Sequence, residues 1–299
     1  MSINKVGVLG CGLMGSGIAQ TSAAAGFSTV ARDVSEPLLE KGRAGILKSL
    51  GKLVEKGKLE QKSRDAAVGK LAFTTELGAL RDCDIIIEAV TEDLELKNEL
   101  FRELDRLCPP KTIFASNTSS LTIAAMAAAT ERADRFVGLH FFNPVPLMPL
   151  VEVVRTVTTS QDTFDQAYAF ARKLGKEAVT TVDSPGFIVN LLLVPYLLDA
   201  ARALERGIAS TTDLDRAMQL GAGHPMGPLT LLDYIGLDTV VRIAEIMFDA
   251  YREPRYAAPP LLRRMVVAGW HGRKSGRGFY DYSVDPAVPS ELGLATGTR

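Results

Sequence analysis

The 299-residue sequence has few of the residues that build disulfide scaffolds or metal centres: three cysteines, three histidines and one tryptophan. Cys11, Cys83 and Cys108 are odd in number and show no CxxC spacing, so neither a disulfide framework nor a zinc knuckle is expected. A reducing, cytoplasmic setting fits this usage, and no metal site is predicted. An excess of one charge is also lacking. Lys plus Arg number 34 against 35 for Asp plus Glu, a net charge of −1, which removes any global pull toward nucleic acid or an anionic membrane. Any anion site must then be local. Long apolar runs are absent too. The longest, from Phe187 to Leu198, is interrupted by Asn190 and Pro195 and falls short of the roughly 20 residues that cross a bilayer. It reads as a buried helix, and no membrane role is expected. Met1 to Lys5 leads into an apolar run too short for a signal peptide, so the chain is expected to start directly in its fold.

What is present is alternation. The length favours two cores over one. Short β-branched runs alternate with helical patterns, which predicts an α/β domain with a parallel, doubly wound sheet over residues 1–183. The expected strands are Lys5–Leu9, Ser28–Arg32, Leu71–Thr74, Asp84–Ala89, Thr112–Ala115, Phe136–Phe141, Leu150–Val154 and Ala178–Val182. A charged amphipathic stretch from an N-cap at Ser35 to about Val68 interrupts the alternation as an inserted helical hairpin. From Ser184-Pro185-Gly186 onward only helical periods occur, so residues 184–282 are expected to form an all-helical C-terminal domain. Residues 283–299, rich in Pro, Ser, Gly and Thr, are expected to form a loose tail.

The first strand runs into Gly10-Cys11-Gly12-Leu13-Met14-Gly15, followed by a helix of small residues. This is G-x-G-x-x-G between a strand and a helix, the Rossmann-type dinucleotide turn. Gly10 permits the tight turn, Gly12 the approach of a pyrophosphate, and Gly15 close helix–strand packing. Asp33 ends the second strand 18 residues after Gly15, where a carboxylate bonds the adenosine ribose hydroxyls. NAD is therefore expected over NADP, although the neighbouring Arg32 leaves a 2′-phosphate open.

His140 ends the strand Phe136–His140, and ligand sites in open α/β sheets gather at the carboxyl ends of strands. A histidine there can take the proton that leaves when an alcohol is oxidised, though by itself such a residue is more often part of a core. Twelve residues later Glu152 stands amid apolar residues of the next strand, where a carboxylate needs a partner. A His–Glu pair would fix the imidazole tautomer. Asn117-Thr118-Ser119-Ser120 follows another strand end. One serine is expected to cap the helix Leu121–Ala129 while the other faces the substrate.

Together, Gly138 to Pro146, Ser116 to Ser120, Ser184 to Asn190 and Gly223-His224-Pro225-Met226-Gly227-Pro228-Leu229-Thr230-Leu231-Leu232-Asp233 resemble the L-3-hydroxyacyl-CoA dehydrogenase family, in order from Val6 to about Tyr282. The length resembles its stand-alone bacterial 3-hydroxybutyryl-CoA type. The resemblance implies NAD-dependent oxidation of L-3-hydroxyacyl-CoA to 3-ketoacyl-CoA and the reverse, with short-chain 3-hydroxybutyryl-CoA as the expected substrate. It makes His140 the base, Glu152 its orienting partner, and Ser119 and Asn190 the groups on the reacting oxygens. It places Gly10, Gly12, Leu13, Met14, Gly15, Asp33, Glu92, Lys97, Ser119, Asn143 and Lys274 against the cofactor. Read from the residues alone, Glu92 and Lys97 are equally well exposed helix charges. One departure is visible: the family usually has Arg after the catalytic Asn, whereas Leu191 follows Asn190 here.

Lys48, Lys52 and Lys56 fall at i, i+4 and i+8 of the inserted helix and line one stripe. Such a stripe is either a solvated face or a phosphate handle. The resemblance implies a coenzyme A site here, with Ser49, Lys52, Lys56 and Ser119 as contacts. It also implies a homodimer through the helices of the run Phe187 to Leu204, whose apolar content exceeds what one buried face needs. Two other readings stay open: a related sugar-acid dehydrogenase of the L-gulonate type, and a catalytically silent nucleotide-binding homologue.

Overall fold

The computed structural model describes residues 3–293. The chain divides into two compact units, Met1–Phe187 and Ile188–Arg299. In the first, β1 (Lys5–Leu9), α1 (Leu13–Ala24), β2 (Ser28–Arg32), α2 (Glu36–Glu55), α3 (Gln61–Val68) and β3 (Leu71–Thr74) come in sequence. They are followed by β4 (Ile85–Glu88), α4 (Leu94–Leu107), β5 (Ile113–Ser116), α5 (Ile123–Ala127), β6 (Phe136–Phe141), β7 (Leu150–Arg155), α6 (Gln161–Lys173) and β8 (Glu177–Val182). The strands form one sheet in the order β3-β2-β1-β4-β5-β6-β7-β8. Its order reverses between β1 and β4, the switch point at which doubly wound folds bind ligands.

The central strands read as almost continuous apolar runs because helices cover both faces. Side chains alternate along β4: Ile85 and Ile87 join the core with Ile18, Leu39 and Ile46, whereas Ile86 joins Phe101, Phe114 and Phe136 on the other face. Phe101 meets Phe136 edge-on at 4.6 Å.

The expected parallel sheet holds through β6 and then reverses. β7 runs antiparallel to β6, and β8 parallel to β7. The physical reason is loop length: residues 142–149 are too few for the crossover of a dozen or more residues that a parallel neighbour needs. The turn-back makes His140 and Glu152 direct register partners.

The inserted hairpin is α2 and α3. Leu39, Gly42, Ile46 and Leu50 form its buried stripe. A Cβ on Gly42 would stand 2.8 Å from the Cys11 carbonyl oxygen and 2.9 Å from Ser16 Oγ. Glycine thus lets α2 lie directly on the dinucleotide turn.

The second unit contains α7 (Val189–Glu205), α8 (Thr211–Ala222), α9 (Pro228–Ile235), α10 (Leu237–Tyr251) and α11 (Pro260–Val267) around a core that includes Leu197, Leu198, Leu229, Leu232, Leu237 and Phe279. Most of the apolar run expected to cover a partner is consumed here: Val194, Leu197, Leu198, Ala201 and Leu204 are buried within the unit, while Leu192 stays 67% exposed. The expectation of a loose tail from 283 is corrected. β9 (Tyr280–Asp281) pairs antiparallel with β10 (Val288–Pro289), and the Ser290 amide donates to the Phe279 carbonyl at 2.9 Å. The strand that 288–289 joins is itself anchored by Asp233, a buried carboxylate that accepts the amides of Phe279 and Tyr280 at 2.9 Å each and the Tyr282 hydroxyl at 3.1 Å. The remainder of the expected tail, 294–299, lies outside the described residues. Among the described residues no helix is long and apolar enough to cross a membrane.

Candidate active site

The glycine turn is closed on two sides and open on the third. Gly10 has φ +91, and a Cβ there would stand 2.6 Å from the Ala89 carbonyl oxygen; one on Gly15 would stand 1.8 Å from that of Gly10. Among the described residues, nothing apart from its own chain neighbours comes within 4 Å of where a Cβ on Gly12 would be. A cradle open only above Gly12, at the N-terminus of α1, fits a pyrophosphate. Leu13 projects outward with 72% exposure, and Met14 packs partly against the core.

Asp33 closes the turn. Its carboxylate accepts the Cys11 amide at 2.6 Å and the Val34 amide at 2.7 Å. Arg32, the residue left open for a 2′-phosphate, donates Nε to the Thr75 carbonyl at 3.1 Å. Burial, and after it the Asp33 charge, pushes the Cys11 thiol up to about 12. It stays protonated, a lining group and not a nucleophile.

A cavity of about 510 Å³ joins this turn to α2 and to the 142–149 connection, with Gly12, Ser16, Gln20, Lys41, Ser49 and Asn143 among its walls. Two residues named by resemblance, Ser49 and Asn143, therefore share one cavity. Lys48, Lys52 and Lys56 are exposed, and Lys56 stands at the C-cap of α2 instead of inside it. Lys41 was missed, yet its signal was present. It precedes Lys48 by seven residues, two turns of the same helix, and so extends the stripe into the cavity.

His140 and Glu152 meet as expected. Nδ1 lies 2.5 Å from Glu152 Oε2, and Nε2 lies 3.2 Å from Ser119 Oγ. His140 and Glu152 are buried and Ser119 is half-buried, with the rings of Phe142 and Phe187 at 4.5 and 5.4 Å from the imidazole. Phe187 has φ +50, a conformation imposed where the chain leaves Pro185-Gly186. Asn117, not singled out from sequence as a site residue, accepts the Phe141 amide at 2.9 Å and pins the strand next to His140.

The expected cap by a serine does not occur. The helix begins only at Ile123, and its first amides, those of Ile123 and Ala124, donate to Asp183 at 2.8 and 2.7 Å. The loop hydroxyls turn to Glu92 instead: Thr118 Oγ1 and Ser120 Oγ donate to it, as does the Ser119 amide at 3.2 Å.

Neither Glu92 nor Lys97 is an exposed helix charge. Lys97 is 1% exposed, its ammonium 2.6 Å from Glu88 Oε1 and 3.1 Å from Glu92 Oε2. Burial pushes the Glu92 carboxyl up, but the Lys97 charge and the bonds from Thr118, Lys97 and Ser120 together outweigh it and hold the group below its ordinary value. Glu88, also missed, accepts Ser116 Oγ at 2.5 Å and the Val90 amide at 2.7 Å. Its only sequence signal was a carboxylate closing the apolar run Ile85-Ile86-Ile87.

Two expected site residues lie in the helical unit. Asn190 is on the first turn of α7, followed by Leu191, which packs against the helical core. Lys274 donates to Asp238 at 2.8 Å.

Comparison with known proteins agrees with this architecture. Residues 5–184 match the family model of the 3-hydroxyacyl-CoA dehydrogenase NAD binding domain, and residues 186–282 that of the C-terminal domain. A 3-hydroxybutyryl-CoA dehydrogenase of Mycobacterium tuberculosis is 51% identical, covering 94% of this chain and 99% of its own. The mitochondrial hydroxyacyl-coenzyme A dehydrogenase of Homo sapiens is 49% identical over 94% of this chain and 91% of its own. The crystal structure of (S)-3-hydroxybutyryl-CoA dehydrogenase from Ralstonia eutropha superposes with a TM-score of 0.91 at 43% identity, covering 95% of this chain and all of that one. With both domain models matched in order and relatives half-identical over nearly their full lengths, the chain belongs to the 3-hydroxyacyl-CoA dehydrogenase family.

Proposed function

We propose that this oxidoreductase interconverts L-3-hydroxyacyl-CoA and 3-ketoacyl-CoA with NAD, with 3-hydroxybutyryl-CoA as the short-chain substrate. The observation that carries the reading is the line Ser119–His140–Glu152 at the carboxyl ends of β5 and β6, buried at His140 and Glu152 and half-buried at Ser119. Family membership supports an acyl-CoA substrate and an NAD cofactor. When bound, the nicotinamide accepts or returns the hydride at the substrate's C3.

The chain's own residues handle the proton. Glu152 accepts from Nδ1–H, which leaves the Nε2 lone pair facing Ser119 and the substrate. In the oxidising direction Nε2 takes the hydroxyl proton, and Glu152 stabilises the imidazolium that results. Ser119 and Asn190 hydrogen-bond the reacting oxygen, the latter role resting on family resemblance. Burial among Phe142 and Phe187 keeps water from competing for these bonds. The residues that would hold NAD are Gly10, Gly12, Leu13, Met14, Gly15, Asp33, Glu92, Lys97, Ser119, Asn143 and Lys274. Ser49, Lys52 and Lys56 take coenzyme A, with Ser119 at the thioester end. Exposed Leu192 supports a homodimer through α7, and the even charge balance and buried cysteines support a cytoplasmic enzyme.

The test is NADH oxidation with acetoacetyl-CoA, set beside a 3-keto sugar acid under the same conditions. Turnover of the thioester alone supports the proposal. Turnover of the sugar acid alone, or of neither, contradicts it.

A further inference from the structure

Glycine inside a helix needs a reason, because among ordinary residues only proline serves a helix interior worse. Gly42 of α2 has its reason in the closeness of Cys11 and Ser16. Gly45 has none within the chain. It lies in the middle of α2, its φ is not left-handed, and it is exposed. Apart from its chain neighbours and its own helix backbone, no atom among the described residues comes within 4 Å of where its Cβ would be. Gly51 is open in the same way, and what sets Gly45 apart is where it faces. It is a wall of the cavity of about 510 Å³ beside the dinucleotide turn. It also stands four residues from both Lys41 and Ser49, on their stripe of the helix, whereas Gly51 falls on another side.

A second wall residue points the same way. Gln20 of α1 is 4% exposed, yet among the described residues nothing hydrogen-bonds its carboxamide. Nor is that group sealed in apolar packing, since Gln20 lines the same cavity. A buried amide without a partner is costly, and the cavity is the side from which a partner can come. The opposite wall, Val145 and Pro146, is fixed and does not close over Gly45. Gly17 lets Val145 lie on α1, where a Cβ would stand 2.8 Å from Val145 Cβ, and the Lys176 ammonium donates to the carbonyls of Val145 at 2.5 Å and Met148 at 2.8 Å.

We infer that Gly45 and Gln20 are substrate-recognition residues: the pantetheine arm of the coenzyme lies across α2 at Gly45, where a side chain would stand in its path, and one of its amides pairs with the Gln20 carboxamide. An arm that carries amides beside a gem-dimethyl group matches apolar walls and one neutral amide, which a phosphate does not. The inference rests on the acyl-CoA substrate of the proposed function.

The test uses the full chain as wild type, Gly45→Ala, Gly51→Ala and Gln20→Leu. Each is assayed with acetoacetyl-CoA and with acetoacetyl-pantetheine, which keeps the arm and lacks the nucleotide. Gly45→Ala should raise KM for both thioesters by about fivefold or more, with kcat and KM for NADH nearly unchanged. Its Tm should be no lower than that of wild type, since alanine favours the helix. Gly51→Ala should behave alike in Tm and leave every KM as in wild type. Gln20→Leu, of similar volume, should raise both thioester KM values by about threefold or more. An unchanged thioester KM in Gly45→Ala would overturn the inference. So would a rise confined to acetoacetyl-CoA, which would put the nucleotide at Gly45, or an equal rise in KM for NADH, which would give the cavity to the cofactor. If Gln20→Leu does not fold, the two glycine variants decide by the same measurements. A wild-type chain inactive on both thioesters would overturn the proposed function first, and this inference with it.

Discussion

His140 Nδ1 stands 2.5 Å from Glu152 Oε2 across an antiparallel strand pair in which the two residues are direct register partners. The contact is thus set by backbone pairing and not by two flexible side chains finding each other. A slip of one residue would send Glu152 to the opposite face of the sheet. The short connection 142–149 therefore does two jobs: it reverses the sheet, and it aligns the base with its carboxylate.

Because the strands hold the geometry, Glu152→Gln should fold nearly as well as wild type. It keeps an oxygen for Nδ1–H but removes the charge that favours imidazolium. We expect kcat to fall by about 10²-fold or more, with a small change in Tm. Steady-state kinetics and thermal unfolding on the same samples check this. A variant that loses stability but keeps kcat per folded molecule would contradict it.

Asp33 should set the choice of cofactor, since a carboxylate at the ribose repels a 2′-phosphate. Asp33→Ser should weaken NADH use and narrow the gap to NADPH. It should also loosen the turn, because it removes the bond to the Cys11 amide. The ratio of kcat/KM for the two cofactors is the readout, and a wild type that prefers NADPH would contradict the assignment.

The lysine stripe on α2 makes a separable prediction. The Lys52→Ala and Lys56→Ala double variant should raise KM for acyl-CoA several-fold and leave KM for NADH nearly unchanged, with added salt producing part of the effect in wild type. An unchanged acyl-CoA KM would return these exposed side chains to a merely solvated face.

Asp233 gives the helical unit a pH signature. Burial pushes its carboxyl up from 3.8 to about 6, against the lowering effect of the bonds from Phe279, Tyr280 and Tyr282. A folded value above the unfolded one contributes stability that is full below the unfolded value and is lost as pH rises through the folded one. The stability difference between wild type and Asp233→Asn should therefore shrink by on the order of 1–3 kcal/mol between about pH 4 and about pH 7. Denaturant unfolding at several pH values measures it, and a flat difference would contradict it.

How far this could be read from the sequence depends on whether the signal was local. Strand runs such as Lys5–Leu9 and Phe136–Phe141 carried their own β-branched and aromatic pattern, and Gly10, Gly12 and Gly15 announced their turn by their spacing between a strand and a helix. His140 and Glu152 were legible because each was chemically out of place in an apolar strand. The reversal at β7 needed only the length of its connection to be weighed, whereas the strand that 288–289 joins is anchored by Asp233, more than forty residues away. Glu88 and the Asp183 cap escaped for the same reason. Each looks ordinary in sequence and becomes specific only when distant elements bring a partner to it.

The central claim is that His140 moves the proton. Single-turnover hydride transfer from NADH to acetoacetyl-CoA, in wild type and His140→Gln, with NADH affinity measured by fluorescence in both, tests it most directly. Transfer should slow by about 10²–10⁴-fold while NADH affinity stays nearly intact. Near wild-type transfer in the variant would remove His140 from the mechanism, and loss of NADH binding would make it a structural residue of the nucleotide domain instead.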